Sequence, residues 1–257
     1  MLDVGALVSS ELGLPWSFGY GINGAGHVAG TAYDFGYSTR HAFVYNGVTV
    51  TNIGTLGGTN AEAFAINNNG CVVGYSFIPG NETHAFRFQE GVMTDLGKLG
   101  GTFSEARAIN NNNVIVGNST DGTTGRAFIM DSNTMVDLNT RLDGTGTGWT
   151  LEQASGINDA GQVVGVGSIT GGVARAYLLT PVPPRITAMA LTDSNVLVSF
   201  TTQSNSTYGL RSAASPGAAS WSNASPVIAG NGGIRTATNF GATTLPLRFY
   251  RINLDVP

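Results

Sequence analysis

Ala65-Ile66-Asn67-Asn68-Asn69-Gly70-Cys71-Val72-Val73-Gly74 is one copy of a phrase that the chain states four times. The other copies start at Gly21-Ile22-Asn23, Ala108-Ile109-Asn110 and Gly156-Ile157-Asn158. In each, a glycine stands seven residues after the Asn: Gly30, Gly74, Gly117 and Gly165. The isoleucines are 44, 43 and 48 residues apart. A period of this size signals stacked supersecondary units, none of which buries its apolar face alone.

Outward from the phrase, each unit reads as four short strands. In the second unit these are Ala63 to Asn67, Cys71 to Ser76, Ala85 to Phe88 and Val92 to Leu96, parted by Asn- and Gly-rich turns. That is hairpin patterning. The third strand recurs as His41-Ala42-Phe43, His84-Ala85-Phe86, Arg126-Ala127-Phe128 and Arg175-Ala176-Tyr177. The fourth recurs as Asn52-Ile53-Gly54, Asp95-Leu96-Gly97 and Asp137-Leu138-Asn139, and is missing from the last unit. Leu2-Asp3-Val4-Gly5-Ala6-Leu7 has the spacing of Thr94-Asp95-Leu96-Gly97-Lys98-Leu99, so Met1–Gly5 is expected to complete that unit. Joining the chain ends in one sheet removes an open edge. The expectation is an all-β protein whose residues 1–180 form a four-bladed β-propeller closed by the N-terminal strand.

Pro181-Val182-Pro183-Pro184 reads as a stiff linker. Residues 185–257 carry six candidate strands, the first at Ile186–Leu191 and the last at Leu247–Leu254, with Trp221 as the expected core plug. Short strands at this spacing suggest a small fibronectin-like β-sandwich.

Charged residues make up only 11%, with a single lysine, Lys98, and a net charge of −4. Nucleic-acid binding needs clustered Lys and Arg and is not expected. No run of eighteen apolar residues occurs, so no membrane insertion is expected. The N-terminus lacks the basic and apolar regions of a signal peptide. The lone Cys71 excludes an intrachain disulfide and reads as a small buried hydrophobe.

Three segments carry a resemblance: Asn67 to Gly74, His84-Ala85-Phe86, and Met93-Thr94-Asp95-Leu96-Gly97-Lys98-Leu99-Gly100-Gly101. With them, residues 2–180 resemble the HAF family of extracellular bacterial repeats. The resemblance implies a secreted or surface-attached protein and no known catalytic activity. The stretch Arg248-Phe249-Tyr250-Arg251-Ile252 is similar to the end of β-domains that close secreted bacterial proteins.

The repeated Asn23, Asn67, Asn110 and Asn158 are expected to bond the backbone of the following turn. The repeated glycines are expected to give room to a neighbouring blade or to adopt a positive φ. His41 and His84 invite a metal site, but Arg126 and Arg175 stand at the matching positions and Arg cannot ligate a metal. No metal or other cofactor is therefore expected, and a donor to a backbone carbonyl suits all four places. Glu62 and Glu105 are matched positions, with Gln153 and Phe18 in the other units and Glu152 one residue away. If they face one channel they form an acid/base pair of the glycosidase type; the structural alternative is that they satisfy backbone between blades. The segments Leu7 to Ile22 and Leu142 to Ile157 are longer than their counterparts and hold Trp16 and Trp149. Aromatics on exposed loops stack on sugars, while core packing is the competing role. These residues lead to an extracellular scaffold that presents loops to a glycan or surface protein. A polysaccharide-degrading enzyme and a self-assembling surface or filament subunit are the alternatives, so enzyme status stays open.

Overall fold

The computed structural model describes the chain apart from residues 1, 37, 132, 171, 203–206, 232, 243–247 and 256–257. The chain divides into two compact units, Met1–Thr180 and Pro181–Pro257.

The first unit begins with α1 (Val4–Leu12) and continues through four antiparallel sheets, each a meander in chain order. The first sheet holds β1 (Trp16–Ile22), β2 (Val28–Tyr33), β3 (Arg40–Tyr45) and β4 (Val50–Asn52). The second holds β5 (Ala61–Ile66), β6 (Val72–Phe77), β7 (Thr83–Gln89) and β8 (Val92–Asp95). The third holds β9 (Ser104–Ile109), β10 (Ile115–Thr120), β11 (Gly125–Asp131) and β12 (Thr134–Asp137). The fourth has three strands: β13 (Trp149–Ile157), β14 (Val163–Ile169) and β15 (Val173–Leu179).

Each sheet packs on the next through its first strand. β5 lies across β1, β2 and β3; β9 across β5, β6 and β7; and β13 across β9, β10 and β11. The repeated residues explain this. Ala29 and Ala42 face Ile66 and Phe86 of the next sheet, Val73 and Ala85 face Ile109 and Phe128, and Val116 and Ala127 face Tyr177. The core is thus three apolar seams between sheets. Cys71 is fully buried in the second seam, where burial pushes its thiol up to about 11.

The N-terminal strand expected to close a ring is instead a helix. Asp3 caps it, accepting the Ala6 N–H at 3.0 Å, and Gly13 ends it with φ 69° and an N–H to Ser9 O. Both are strong helix signals. They win over the match of Leu2–Leu7 to a repeat strand because α1 gains a burial site of its own. Its Val8 packs on Ala32, Phe43, Tyr45 and Val50 of the first sheet. Among the described residues, no strand from the N-terminus pairs with the fourth sheet; Met1 lies outside them.

The second unit pairs Ile186–Thr192, Asn195–Thr201 and Ile234–Asn239 in one antiparallel sheet. A second sheet forms around Thr207–Ala213, which pairs with Phe249–Asp255. Val198, Phe200, Tyr208, Leu210 and Ala237 form their shared core. Trp221 is not the plug: it lies outside that core, partly buried beneath the Arg251 guanidinium, 4.5 Å from the ring centroid. Of the last expected strand, Leu247 lies outside the described residues.

Candidate functional site

The site follows from one irregularity repeated four times. In each sheet of the first unit the first strand carries an extra residue opposite the second: Tyr20, Phe64, Arg107 and Ser155. Each is a β-bulge, which re-aims a side chain out of the pleat. The repeated glycine allows the close approach on which it rests. A Cβ on Gly30, Gly74, Gly117 or Gly165 would lie 2.2, 1.9, 2.0 or 1.9 Å from the carbonyl oxygen of Phe18, Glu62, Glu105 or Gln153. The glycine therefore makes room for the first strand of its own sheet, not for a neighbouring blade, and none of the four has a positive φ.

All four bulge residues line one groove of about 560 Å³, together with Glu62, Tyr75, Glu105 and Gln153. Both expected carboxylates reach it, and their partners are side chains rather than backbone between sheets. Glu62 Oε1 accepts from Tyr75 Oη at 2.6 Å and from Arg40 at 2.9 Å, and Tyr33 donates to Oε2 at 3.3 Å. Burial and the neighbouring Glu62 hold both tyrosine hydroxyls well above the ordinary phenol range, so they remain donors. Glu105 accepts from Arg107 Nε at 2.6 Å. Burial raises the Glu105 pKa, with Arg107 opposing the shift. The Arg107 guanidinium also sits 4.6 Å over the Phe64 ring, and Tyr20 meets Phe64 edge-on at 5.7 Å. The groove thus offers two charge-compensated carboxylates, aromatic faces and neutral polar groups. Such a mixture suits a hydroxyl-rich ligand with an apolar face.

Other candidates sit elsewhere. Trp16 and Trp149 start β1 and β13 and so belong to strands; Trp149 packs against the third seam and Trp16 is half exposed. Glu152 is the extra residue of a second bulge in β13 and is not among the groove residues.

The repeated Asn residues work in two directions. Asn67 Oδ1 accepts from the N–H groups of Asn69 and Cys71 in its own turn, both at 3.0 Å. Its Nδ2 donates to Asn110 O at 2.9 Å, as Asn23 does to Asn67 O and Asn110 to Asn158 O. A second ladder runs beside the first. Gly24 N donates to Asn68 Oδ1, Asn68 N to Asn111 Oδ1, and Asn111 N to Asp159 Oδ1.

Three of the His/Arg positions take side-chain partners rather than backbone carbonyls: the fourth strand brings an Asn or Asp alongside each His, and the β10–β11 turn brings Asp121 to Arg126. His41 Nδ1 accepts from Asn52, and His84 Nδ1 lies 2.8 Å from Asp95. Arg126 Nε donates to Asp121 at 2.8 Å. Arg175 is exposed in the sheet without a fourth strand. Among the described residues, no group of three or more His, Cys, Asp or Glu side chains is placed to hold a metal ion. Among the described residues, no helix is long and apolar enough to cross a membrane.

Spacing alone marks Glu62 and Glu105 as a matched pair. It does not mark Tyr20, Phe64, Arg107 and Ser155, although they share one variable position of the repeat, two residues before each Ile.

No family model and no curated protein matches the chain. Among solved structures, TolB from Acinetobacter baumannii is similar at 11% identity with a TM-score of 0.46, over 72% of this chain and 51% of TolB. The chain thus spans about half of TolB's length. A candidate gluconolactonase is similar at 10% identity with a TM-score of 0.37, over 69% of this chain and 68% of that one. Likenesses of this strength assign neither activity nor ligand.

Proposed function

We propose that the first unit is a non-enzymatic extracellular binding module, a propeller-type scaffold whose groove takes a glycan. The second unit is read as a sandwich-like spacer or attachment domain. One observation carries this reading. The repeated positions form seams and ladders, while the variable positions beside each bulge converge on a single groove. The HAF-like motifs support the extracellular setting. A glycan array followed by calorimetry tests it. A specific glycan should bind the intact chain and lose affinity in Phe64→Ala and Arg107→Ala, with melting curves verifying that both variants remain folded. A flat response to every polysaccharide would sink the glycan reading and leave a surface protein as partner.

Two observations favour other readings. Glu105, raised by burial, shares the groove with Glu62, the pairing that a polysaccharide-degrading enzyme needs. Reducing ends released by the wild type but not by Glu105→Gln would establish that. The exposed apolar side chains of the fourth sheet favour self-association, which sedimentation over a concentration series decides.

A further inference from the structure

Trp16, Phe18 and Tyr20 stand at alternate positions of β1 and are 46%, 45% and 49% exposed. Trp16 and Phe18 lie in regular register before the bulge and so stand on one face, ~6.5–7 Å apart, and the bulge turns Tyr20 to the same side. The Phe18 and Tyr20 rings are stacked, 6.4 Å between centroids and 22° between planes. Phe18 is braced edge-on by Tyr33 at 5.5 Å. Tyr20 lines the groove, so the row leads out of the groove along the strand. The Phe18 position is Glu62, Glu105 or Gln153 in the other units, so the row is a property of the first sheet and not of the repeat. Exposed aromatics grouped this way mark a binding surface.

We infer that β1 extends the groove into a platform for a linear, neutral, ribbon-like glycan, one sugar ring lying against each aromatic of the row. This deepens the glycan reading of the groove and rests on it. Straightness follows from the strand: a row of rings on one face fits a chain that also keeps one apolar face turned to one side. A chain that coils cannot follow it. Neutrality follows from the groove. Glu62 is paired with Arg40 and Glu105 with Arg107, so neither carboxylate nor guanidinium is left to select a charged sugar. The pairs instead offer hydrogen-bonding atoms to hydroxyls.

The test is calorimetry of the full chain with β-1,4-linked gluco-oligosaccharides from the disaccharide to the hexasaccharide. Maltohexaose serves as a coiling chain and oligogalacturonate as a charged one. Affinity should rise with length in the β-1,4 series and stay lower for both comparators. Phe18→Ala should weaken the hexasaccharide roughly tenfold, about 1.4 kcal/mol, while leaving the disaccharide unchanged. Trp16→Ala is the second variant, because Phe18 also braces Tyr33, and melting curves verify folding of both. Length-independent affinity, or indifference to both variants, would overturn the platform while leaving the groove reading intact. Preference for maltohexaose or oligogalacturonate would overturn the platform as well. No binding by any glycan would remove both.

Discussion

Val73, Val116 and Val164 hold one position of the repeat, yet the first two are wholly buried and the third is 46% exposed. Ala42, Ala85 and Ala127 are likewise fully buried and Ala176 is exposed. Asn23, Asn67 and Asn110 each donate to the next sheet, whereas Asn158 donates to Gln162 within its own turn. The fourth sheet has the sequence of an inner sheet, but among the described residues of the first unit no further sheet packs on it. The opposite end of the array differs again. There Phe43, the counterpart of Phe86 and Phe128, is buried by α1 rather than by a preceding sheet. The comparison teaches that a repeated residue takes its energetic role from its neighbour. Identical side chains should therefore respond unequally to identical substitutions.

The largest contrast is expected from a buried charge. Val116→Asp places an unpaired carboxylate in the third seam and should cost about 4 kcal/mol or more, while Val164→Asp should stay within about 0.5 kcal/mol. Urea denaturation of both variants measures this, and equal losses would show that the fourth sheet's face is covered in solution. Next comes the helix. If α1 stands in for a sheet, Val8→Ala should cost about 2 kcal/mol, as loss of a fully buried side chain does. A negligible change would mean that the first sheet does not need its cover.

A local signal makes the interior of the array legible. Apolar alternation and turn glycines mark the strands of the second and third sheets, because register and burial there follow from residues a few positions apart. The ends are not legible in that way. Leu2–Leu7 matches a repeat strand letter for letter in spacing, but the Asp3 cap and the apolar surface of the first sheet decide for helix. The groove is half legible. Glu62 and Glu105 stand out as matched carboxylates, whereas simple alternation misses the bulge that turns Phe64 and Arg107 toward them. Arg40, Tyr33 and Tyr75 come from other strands and no spacing joins them to Glu62. The two Asn ladders span 43 to 48 residues, so only the turn-capping half of each Asn is visible locally.

The first ladder allows a smaller and sharper test. Asn110→Asp keeps an oxygen to cap the turn but replaces the donor to Asn158 O with a carboxylate oxygen, at a residue only 4% exposed. It should cost about 2 kcal/mol, since an unpartnered buried acceptor is joined by an added charge. Asn158→Asp loses a bond inside an exposed turn and should change stability by less than about 0.5 kcal/mol. If the two variants melt together, the ladder adds nothing to the turns it joins.

The second ladder gives the smallest effect and the most local one. Its acceptors are Asn68, Asn111 and Asp159, so only the joint between the third and fourth sheets ends on a carboxylate. The Asp159 pKa lies below the ordinary 3.8 because Asn111 donates to it through both side chain and backbone. A lowered carboxylate pKa means that the unfolded state binds the proton more readily. The stabilisation is therefore present above about pH 4 and is lost as pH falls through the folded value. Acid should loosen this joint before the other two, whose amide acceptors do not titrate. Hydrogen exchange reads it directly, as the protection factor of the Asn111 amide relative to that of Asn68. The ratio should fall on acidification in the wild type and stay level in Asp159→Asn. A parallel decline at both amides would place acid sensitivity elsewhere, and the last joint would then differ from the inner two in packing alone.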